Sequence, residues 1–391
     1  MPKLSNHISI LIMPTDICNM NCIYCFHNSH HEKLGKMSLD TLKQLYDITL
    51  NEYEQVTFIW HGGEPLVMGL SFFQKAIDMQ KYYKNVKIRN RMQSNLTLLT
   101  DELADFLSAN HIGVGTSIDG VLNEKLRGNT QIVFDNREKL LHRNQHCGFI
   151  MVLSNANIDT LITSYEMFKK LNANYSMNPY VSTPTEHNMQ LLLDTEHAIE
   201  KLIEFYEFWK NDSSCNIEVG YFERIIRYIL WGEKSVCKYN SCLGKWIGVR
   251  YNGDIVPCNR YFPQEYSYGN VWQYDCISKA FDSKGFKNLL SEAIERRKKC
   301  ADCPIFSFCS GGCNNVALNE NGISNNMGTS CQIAIAIYKH ILKDISFLKN
   351  NSELNNFLNP RIRVISQKPN NLKSNKHSNL HYDVHNDTNN N

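Results

Sequence analysis

Cysteine is the residue type with the clearest chemical potential in this sequence: eleven of its fourteen cysteines fall in two groups. The first group, Cys18, Cys22 and Cys25, has C-x3-C-x2-C spacing within "CNMNCIYCF". Structural zinc normally takes four protein ligands, and no fourth ligand stands at a usual interval, although nearby histidines leave zinc open. Three thiolates suit a [4Fe–4S] cluster with one iron left open for a substrate or cofactor.

The second group contains enough cysteines for two complete sites of four thiolates each. Its spacings are C-x4-C, then C-x2-C-x5-C-x3-C, which is not a typical zinc-finger interval. Zinc stays an alternative because soft thiolates also bind it. The members of this group are Cys237, Cys242, Cys258, Cys300, Cys303, Cys309, Cys313 and Cys331.

Composition limits the classes of protein to consider. Charged residues make up 20% of the chain and the net charge is +2, so no strong field predicts a nucleic acid or an anionic membrane as a partner. The first apolar run is too short for a signal peptide or a membrane span, so we expect a cytoplasmic protein. Cysteines stay reduced there, which favours metal ligands or catalytic groups over disulfides.

Strand-like and helix-like segments alternate through the first half of the chain. This alternation predicts a parallel sheet with right-handed crossovers, and six units are too few for a complete eight-stranded barrel. We therefore expect an α/β fold built on a partial (β/α)6 barrel similar to a TIM barrel. Ser38, Thr100 and Asp159 are candidate N-caps of three helices. The candidate strands cover residues 7–13, 55–60, 85–92, 112–118, 148–154 and 174–181.

We expect four regions: a barrel over 1–194, a helical linker over 195–236, a cysteine-rich domain over 237–348 and a polar tail over 349–391. The tail is rich in asparagine with few apolar residues, which predicts disorder. The sequence begins almost at its first strand, so we expect no separate N-terminal domain for peptide recognition.

The first cysteine group stands directly after the first candidate strand, and active sites of such folds lie beyond the C-terminal ends of strands. C-x3-C-x-Y-C-F in this place resembles the radical S-adenosylmethionine (SAM) superfamily. The segments "WHGGEP", "QSN" and "SIDG" follow the next three strands and are similar to further motifs of that family. The resemblance implies a [4Fe–4S] cluster on Cys18, Cys22 and Cys25 whose open iron binds SAM.

Several residues of these segments acquire a role in SAM binding from the resemblance alone. The glycine pair allows a close backbone approach to SAM, Ser117 is a candidate for the ribose, and Arg127 for the carboxylate. The cofactor-binding residues implied in this way are Tyr24, Gly62, Gly63, Glu64, Asn95, Ser117 and Arg127.

The second cysteine group resembles the SPASM extension of radical SAM enzymes, which holds two auxiliary [4Fe–4S] clusters. The resemblance implies that Cys237, Cys242, Cys258 and Cys313 ligate the first cluster. It assigns the second to Cys300, Cys303, Cys309 and Cys331. Closed clusters leave no iron open for a substrate, so their expected role is electron transfer.

Enzymes with this extension mostly modify peptides or proteins. Our hypothesis is a maturase that takes a hydrogen from a side-chain carbon of a ribosomal precursor peptide and forms a cyclophane or thioether cross-link, with similarity to the Xye type. The expected partners are that peptide and an electron donor such as flavodoxin or ferredoxin. The catalytic residues are not assigned.

Two alternatives are open. The first is an anaerobic sulfatase-maturating enzyme that forms formylglycine. Such enzymes usually carry an aspartate as general base after the cysteine that corresponds to Cys258, and Asn259 at that position counts against this activity. The second alternative is a zinc-stabilised binding module without catalysis.

Overall fold

The computed structural model describes residues 6–25, 34–183, 188–234, 237, 242–260, 262–321 and 330–346. Every one of the six predicted strands is present, so the expectation of a parallel α/β fold is confirmed. Phe26, Tyr261 and the polar tail lie outside the described residues. The six strands are β1 His7–Met13, β2 Gln55–Trp60, β3 Lys87–Gln93, β4 Gly113–Ser117, β5 Cys147–Leu153 and β6 Tyr175–Pro179.

Six helices alternate with these strands: α1 Leu39–Leu50, α2 Leu70–Gln80, α3 Asp101–Ala109, α4 Asn123–Leu126, α5 Thr130–Leu141 and α6 Leu161–Lys170. Two of the three expected N-caps are confirmed, because the hydroxyls of Ser38 and Thr100 accept hydrogen bonds from backbone N–H groups of α1 and α3. The expectation for Asp159 is wrong. A 3-10 turn over Ile158–Thr160 precedes α6, and Asp159 instead lies 2.8 Å from the ring of His197.

Strands from the cysteine-rich region extend the same sheet. Its described order is β6-β5-β4-β3-β2-β1-β7-β8-β9, where β7 is Trp246–Arg250, β8 is Asp254–Val256 and β9 is Gly269–Asn270. β7 pairs in parallel with β1, and the last two strands are antiparallel. The cysteine-rich region is therefore joined to the barrel through a continuous ladder of backbone hydrogen bonds.

The two faces of the sheet differ in how fully they are buried. Alternate strand residues such as Ile10, Phe58 and Phe149 are buried against the helices, whereas most of the intervening positions of β2 to β6 stay partly exposed. We call this second face the inner face; on β1 it is buried, with Ser9, Leu11 and Met13 at most 7% exposed. Side chains alternate along each strand, so one set faces the helices and the other set forms the inner face. The β–α loops at the C-terminal edge open beside this inner face, and this places the candidate site there.

The remaining helices follow the six-stranded part of the sheet. The predicted linker is helical, with α7 and α8, and α12 packs against α7 through Tyr206, whose hydroxyl donates to Asp344 at 2.8 Å. Within the described residues, no helix has the length and apolar character needed to span a membrane. These helices are α7 Thr195–Asn211, α8 Gly220–Trp231, α9 Lys284–Lys299, α10 Phe306–Cys309, α11 Asn314–Asn321 and α12 Ser330–Ser346.

Candidate active site

Cys18, Cys22 and Cys25 lie on the loop that leaves the C-terminal end of β1. The sulfur of Cys18 accepts two weak hydrogen bonds, from the Met20 N–H at 3.4 Å and from the Asn95 side-chain amide at 3.8 Å. Burial raises the pKa of the Cys18 thiol, and the nearby Cys22 thiolate adds to that shift. The structure therefore brings Cys18 and Cys22 together and places an amide donor at one of their sulfurs.

The glycine pair of "WHGGEP" packs against the backbone that leads into this cysteine loop. A Cβ atom on Gly63 would lie 2.4 Å from the carbonyl oxygen of Ile17, and one on Gly62 would lie 2.6 Å from that of Thr15. Gly62 also has φ +106°, which side chains rarely adopt. These glycines let β2 and β1 approach at their ends, so they position the cysteine loop itself.

Replacing Gly63 with alanine is expected to push the cysteine loop away from the end of β2. Backbone atoms cannot yield as a flexible side chain can, so we expect destabilisation of about 1–3 kcal/mol. Thermal unfolding measures this loss, and iron analysis of the reconstituted enzyme tests whether the loop still takes up a cluster. Gly113→Ala is the control, because the backbone of that glycine suits any residue and its Cβ atom would lie 3.8 Å from the nearest atom, in the Arg91 side chain. Equal iron uptake and stability in the Gly63 variant would contradict this role.

Glu64 connects this turn to the loop after β3. Its side chain is 1% exposed and accepts hydrogen bonds from Leu66 N–H at 3.0 Å, the Ser94 hydroxyl at 2.7 Å and Asn95 N–H at 2.7 Å. Asn95 in turn donates to Cys18, so one buried carboxylate holds the residue that contacts the cysteine loop. The implied roles of Glu64 and Asn95 in SAM binding stay predictions, and the structure shows the hydrogen bonds that hold both in place.

Tyr24 belongs to a buried network that the sequence did not reveal. Its hydroxyl donates to the Asp119 carboxylate and accepts from the Arg127 guanidinium at 2.6 Å. Asp119 is fully buried and also accepts from Val152 N–H at 2.8 Å. This network fastens the cysteine loop to the ends of β4 and β5.

The structure thus gives Arg127 a partner within the chain, and its contact with a SAM carboxylate stays a prediction. Asp119 belongs to the "SIDG" segment, but the sequence alone assigned no role to it. Its position just after a strand end is the sequence signal that could have identified it. Ser117 lies on the inner face, where it accepts a hydrogen bond from the Gln93 side chain at 3.0 Å.

Four downstream cysteines influence one another electrostatically, and their ligation of one cluster stays a prediction. Burial raises the pKa of Cys242 well above its usual range, and the thiolates of Cys313, Cys237 and Cys258 contribute to the shift. Cys258 is affected in the same way, with its pKa raised to about 12. Its sulfur accepts from the Arg260 N–H at 3.4 Å, so this set has hydrogen-bond donors of the kind that tune iron–sulfur clusters.

Cys300 and Cys303 form the clearest pair of the other set. The Cys303 N–H donates to the Cys300 carbonyl at 3.0 Å, and the Cys303 thiolate contributes to the raised pKa of Cys300, after burial. Cys309 ends α10, and Cys331 stands in the first turn of α12. Their membership of one cluster stays a prediction.

The cysteine sets fit iron–sulfur clusters. Among the described residues, no three histidine, cysteine or acidic side chains meet closely enough to hold a single metal ion. All eleven clustered cysteines are free thiols, and soft thiolates are the ligands that hold iron–sulfur clusters.

One further contact joins the two halves of the site. Nδ2 of the Asn259 side chain lies 3.1 Å from Nε2 of His61, and the Gly62 N–H donates to Nδ1 of the same ring at 2.9 Å. Since Nδ1 accepts, the neutral ring carries its proton on Nε2, and the Asn259 amide has to be turned over for its oxygen to accept that proton. Burial lowers the pKa of His61 to about 4, which keeps this ring neutral.

Comparisons with known proteins agree with the geometry. The radical SAM superfamily matches residues 12–168, and the SPASM iron–sulfur cluster-binding domain matches residues 237–304, together more than half of the chain. A cysteine-type anaerobic sulfatase-maturating enzyme from Clostridium perfringens is 26% identical over 368 residues, which cover 88% of this chain and 99% of the relative.

Two solved structures share the fold. The structure titled native anSMEcpe with bound AdoMet and Kp18Cys peptide has a TM-score of 0.78 and 25% identity, covering 87% of this chain and 99% of that one. Streptococcus suis SuiB bound to its precursor peptide SuiA has a TM-score of 0.61 and 17% identity over 84% of this chain and 76% of that one. The family match decides against a non-catalytic zinc module. This chain belongs to the radical SAM superfamily and carries a SPASM domain, and its cofactors are SAM and multiple [4Fe–4S] clusters.

Proposed function

We propose that this protein is a peptide-modifying radical SAM enzyme that forms an oxidative cross-link in a ribosomal precursor peptide. Support for a peptide substrate comes from the two similar structures, one with a bound peptide and the other with a bound precursor peptide. The cross-link is carbon–carbon, as in a cyclophane, or carbon–sulfur, as in a thioether.

The reaction is a two-electron oxidation of the peptide. When bound, the cofactors supply a 5′-deoxyadenosyl radical, which removes a hydrogen atom, and auxiliary clusters, which accept an electron. On the peptide, one bond forms between a side-chain carbon and an aromatic ring or sulfur, and two bonds to hydrogen break. One hydrogen leaves as an atom, and the other leaves as a proton together with one electron.

The residues of this chain would bind the cofactors and keep them oriented. Cys18, Cys22 and Cys25 would hold the SAM-binding cluster, and Asn95 donates a hydrogen bond to Cys18. Hydrogen bonds at the sulfurs of such clusters tune their potentials. Tyr24 and Arg127 are held rigidly beside the loop, which preorganises the place where SAM is expected to bind.

The pairing of His61 with Asn259 is the observation that favours a cross-link over formylglycine formation. Both nitrogens of His61 are engaged, and an amide cannot take a proton at neutral pH, so this pair offers no free general base. Sulfatase maturation needs a base to deprotonate its cysteine or serine. A ring that has just been coupled loses its proton readily because it regains aromaticity, and it needs no strong base. This argument favours the carbon–carbon link, because a cysteine thiol that forms a thioether must also give up its proton.

Sulfatase maturation is the second candidate. The observation in its favour is the similarity to a cysteine-type sulfatase-maturating enzyme over almost the whole length of that relative. Radical generation and a peptide substrate are common to both candidates, so the products must distinguish them.

Anaerobic co-expression with a candidate precursor peptide, sought as a short open reading frame beside the gene, tests the proposal. We expect the peptide to lose two hydrogens per link and tandem mass spectra to show that the two linked residues no longer fragment separately. Formylglycine made from serine has the same mass change, so the product is also treated with a hydrazide, which labels the aldehyde and leaves a cross-link unlabelled. A sulfatase-motif peptide is run in parallel. An unmodified precursor with cluster-loaded, SAM-cleaving enzyme, or hydrazide labelling, would contradict the cross-link.

A further inference from the structure

We propose that the inner face of β3 binds an acidic side chain of the peptide substrate through Arg89 and Arg91. This inference rests on the proposed peptide substrate and adds its chemical class: a segment with aspartate or glutamate close to the modified residue.

The direction of the two arginines follows from their neighbours on β3. Asn90 accepts hydrogen bonds from Gln80 and Trp60, both at 3.2 Å, and Met92 is buried, so these two residues face the helices. Side chains alternate along a strand, which places Arg89 and Arg91 on the opposite, inner face. Both are exposed although β3 has three strands on one side and five on the other. The inner face is therefore open to solvent at its middle.

All charged residues at the inner positions of β1 to β6 are basic. Basic side chains stand at three inner positions of β3, which are Lys87, Arg89 and Arg91, and no inner position of β1 to β6 carries an acidic residue. Among the described residues, no ion pair engages either arginine. A chain with a net charge of only +2 thus collects uncompensated positive charge in one place. The inner positions of the six strands are 7, 9, 11, 13, 55, 57, 59, 87, 89, 91, 93, 113, 115, 117, 148, 150, 152, 176 and 178.

A further arginine reaches the same face from the other side. Arg224 of α8 donates to the Ser176 hydroxyl on β6. The neighbouring Glu223 is buried, and burial, together with Glu218, raises its pKa to about 8. Glu223 also lies 4.0 Å from Arg227 on its own helix, so it is engaged at α8 and not with the arginines of β3.

Space for a ligand lies beside the arginines. Arg91 pairs in register with Gly113, and a Cβ atom at Gly113 would meet only the Arg91 side chain, at 3.8 Å. The open space is at Gly113: the Gln93 side chain already covers the next inner glycine, Gly115, where a Cβ atom would lie 2.8 Å from Gln93 Oε1. An extended peptide can approach the sheet here, with its carboxylates toward the planar guanidinium groups that bind them in two-pronged fashion.

The arginines also stand at a useful distance from the reacting end. β3 ends at Gln93, which bonds to Ser117, and the following Asn95 contacts Cys18. A strand rises about 3.3 Å per residue, so Arg91 lies about 7 Å and Arg89 about 13 Å below Gln93. An acidic residue bound there places a residue a few positions away in the peptide at the cysteine loop.

Binding without turnover tests this inference. The probes are a short fluorescein-labelled peptide of glutamate, glycine and serine and a matched peptide with glutamine in place of glutamate. Anisotropy is measured anaerobically with the cluster-loaded enzyme and SAM, in the absence of a reductant. We expect the glutamate peptide to bind at least about tenfold more tightly, because charge-assisted hydrogen bonds discriminate by that much.

The double variant Arg89→Gln/Arg91→Gln is expected to bring the two affinities close together. Lys75→Gln, on the exposed side of α2, is the control that removes charge elsewhere and should preserve the preference. Equal binding of both peptides to the unmodified enzyme would overturn the inference. So would a loss of SAM affinity in the double variant with the peptide preference intact, because the arginines would then serve the carboxylate of SAM.

The result of this binding experiment is independent of whether the proposed cross-linking reaction occurs. A glutamate preference that depends on the arginines supports the acidic site even where the precursor is never cross-linked. Cross-linking of a precursor, with equal binding of the two probes, supports the function and overturns the acidic site.

Discussion

Replacing Cys18, Cys22 and Cys25 together with alanine is expected to abolish SAM cleavage while leaving the auxiliary iron in place. The three thiols stand on one loop at the end of β1, and the other eight clustered cysteines come from distant parts of the chain. Of the roughly twelve irons of three four-iron clusters, about eight should remain. Deoxyadenosine after reduction with dithionite, measured by mass spectrometry, should fall to the level without enzyme.

Cys276→Ala is the matched control because this thiol lies outside both cysteine groups and contacts Ser278. It should retain full iron content and SAM cleavage. Deoxyadenosine formation that persists in the triple variant would show that the first cysteine group does not carry the reactive cluster. Loss of all the iron would show that the two groups depend on each other for folding.

The six barrel strands were predictable because their apolar residues recur with a short period between amphipathic helices. Ile8, Ile10 and Ile12 of β1, for example, are all fully buried on the helix side. The pairing of β7 with β1 was not predictable in the same way. The five residues Trp246–Arg250 do not indicate which strand they pair with, because strand pairing depends on contacts distant in sequence.

The site shows the same division. Motif residues at strand ends, such as Gly63 and Glu64, were found because their segment follows a strand and resembles a motif of the radical SAM family. The partners of Tyr24 and His61 were missed because they are 95 and 198 residues away. The cap expected at Asp159 failed for a local reason: the preceding 3-10 turn moved the start of α6 to Leu161.

Asp119 is the missed residue with the largest expected effect. Replacing it with alanine leaves the Tyr24 hydroxyl and the Val152 N–H without their acceptor, and it removes the carboxylate that Tyr24 links to the half-buried Arg127. Breaking a buried charged network costs about 3–5 kcal/mol, so we expect a lower unfolding temperature. SAM affinity should also fall, by at least about tenfold, because Tyr24 and Arg127 lose their fixed positions.

Two further variants separate positioning from folding. Asp105→Ala breaks an exposed pair with Arg143 at 2.6 Å and should leave the unfolding temperature and the SAM affinity nearly unchanged. Tyr24→Phe keeps the ring and removes only the hydroxyl that joins Arg127 to Asp119. SAM binding is followed by the change it causes in the electron paramagnetic resonance spectrum of the reduced cluster, at a temperature where each variant is folded. Normal SAM affinity in the Asp119 and Tyr24 variants would show that the network stabilises the loop without positioning SAM. Weakened SAM affinity in both variants, with the Asp105 variant unaffected, would identify Asp119 as a positioning residue of the site.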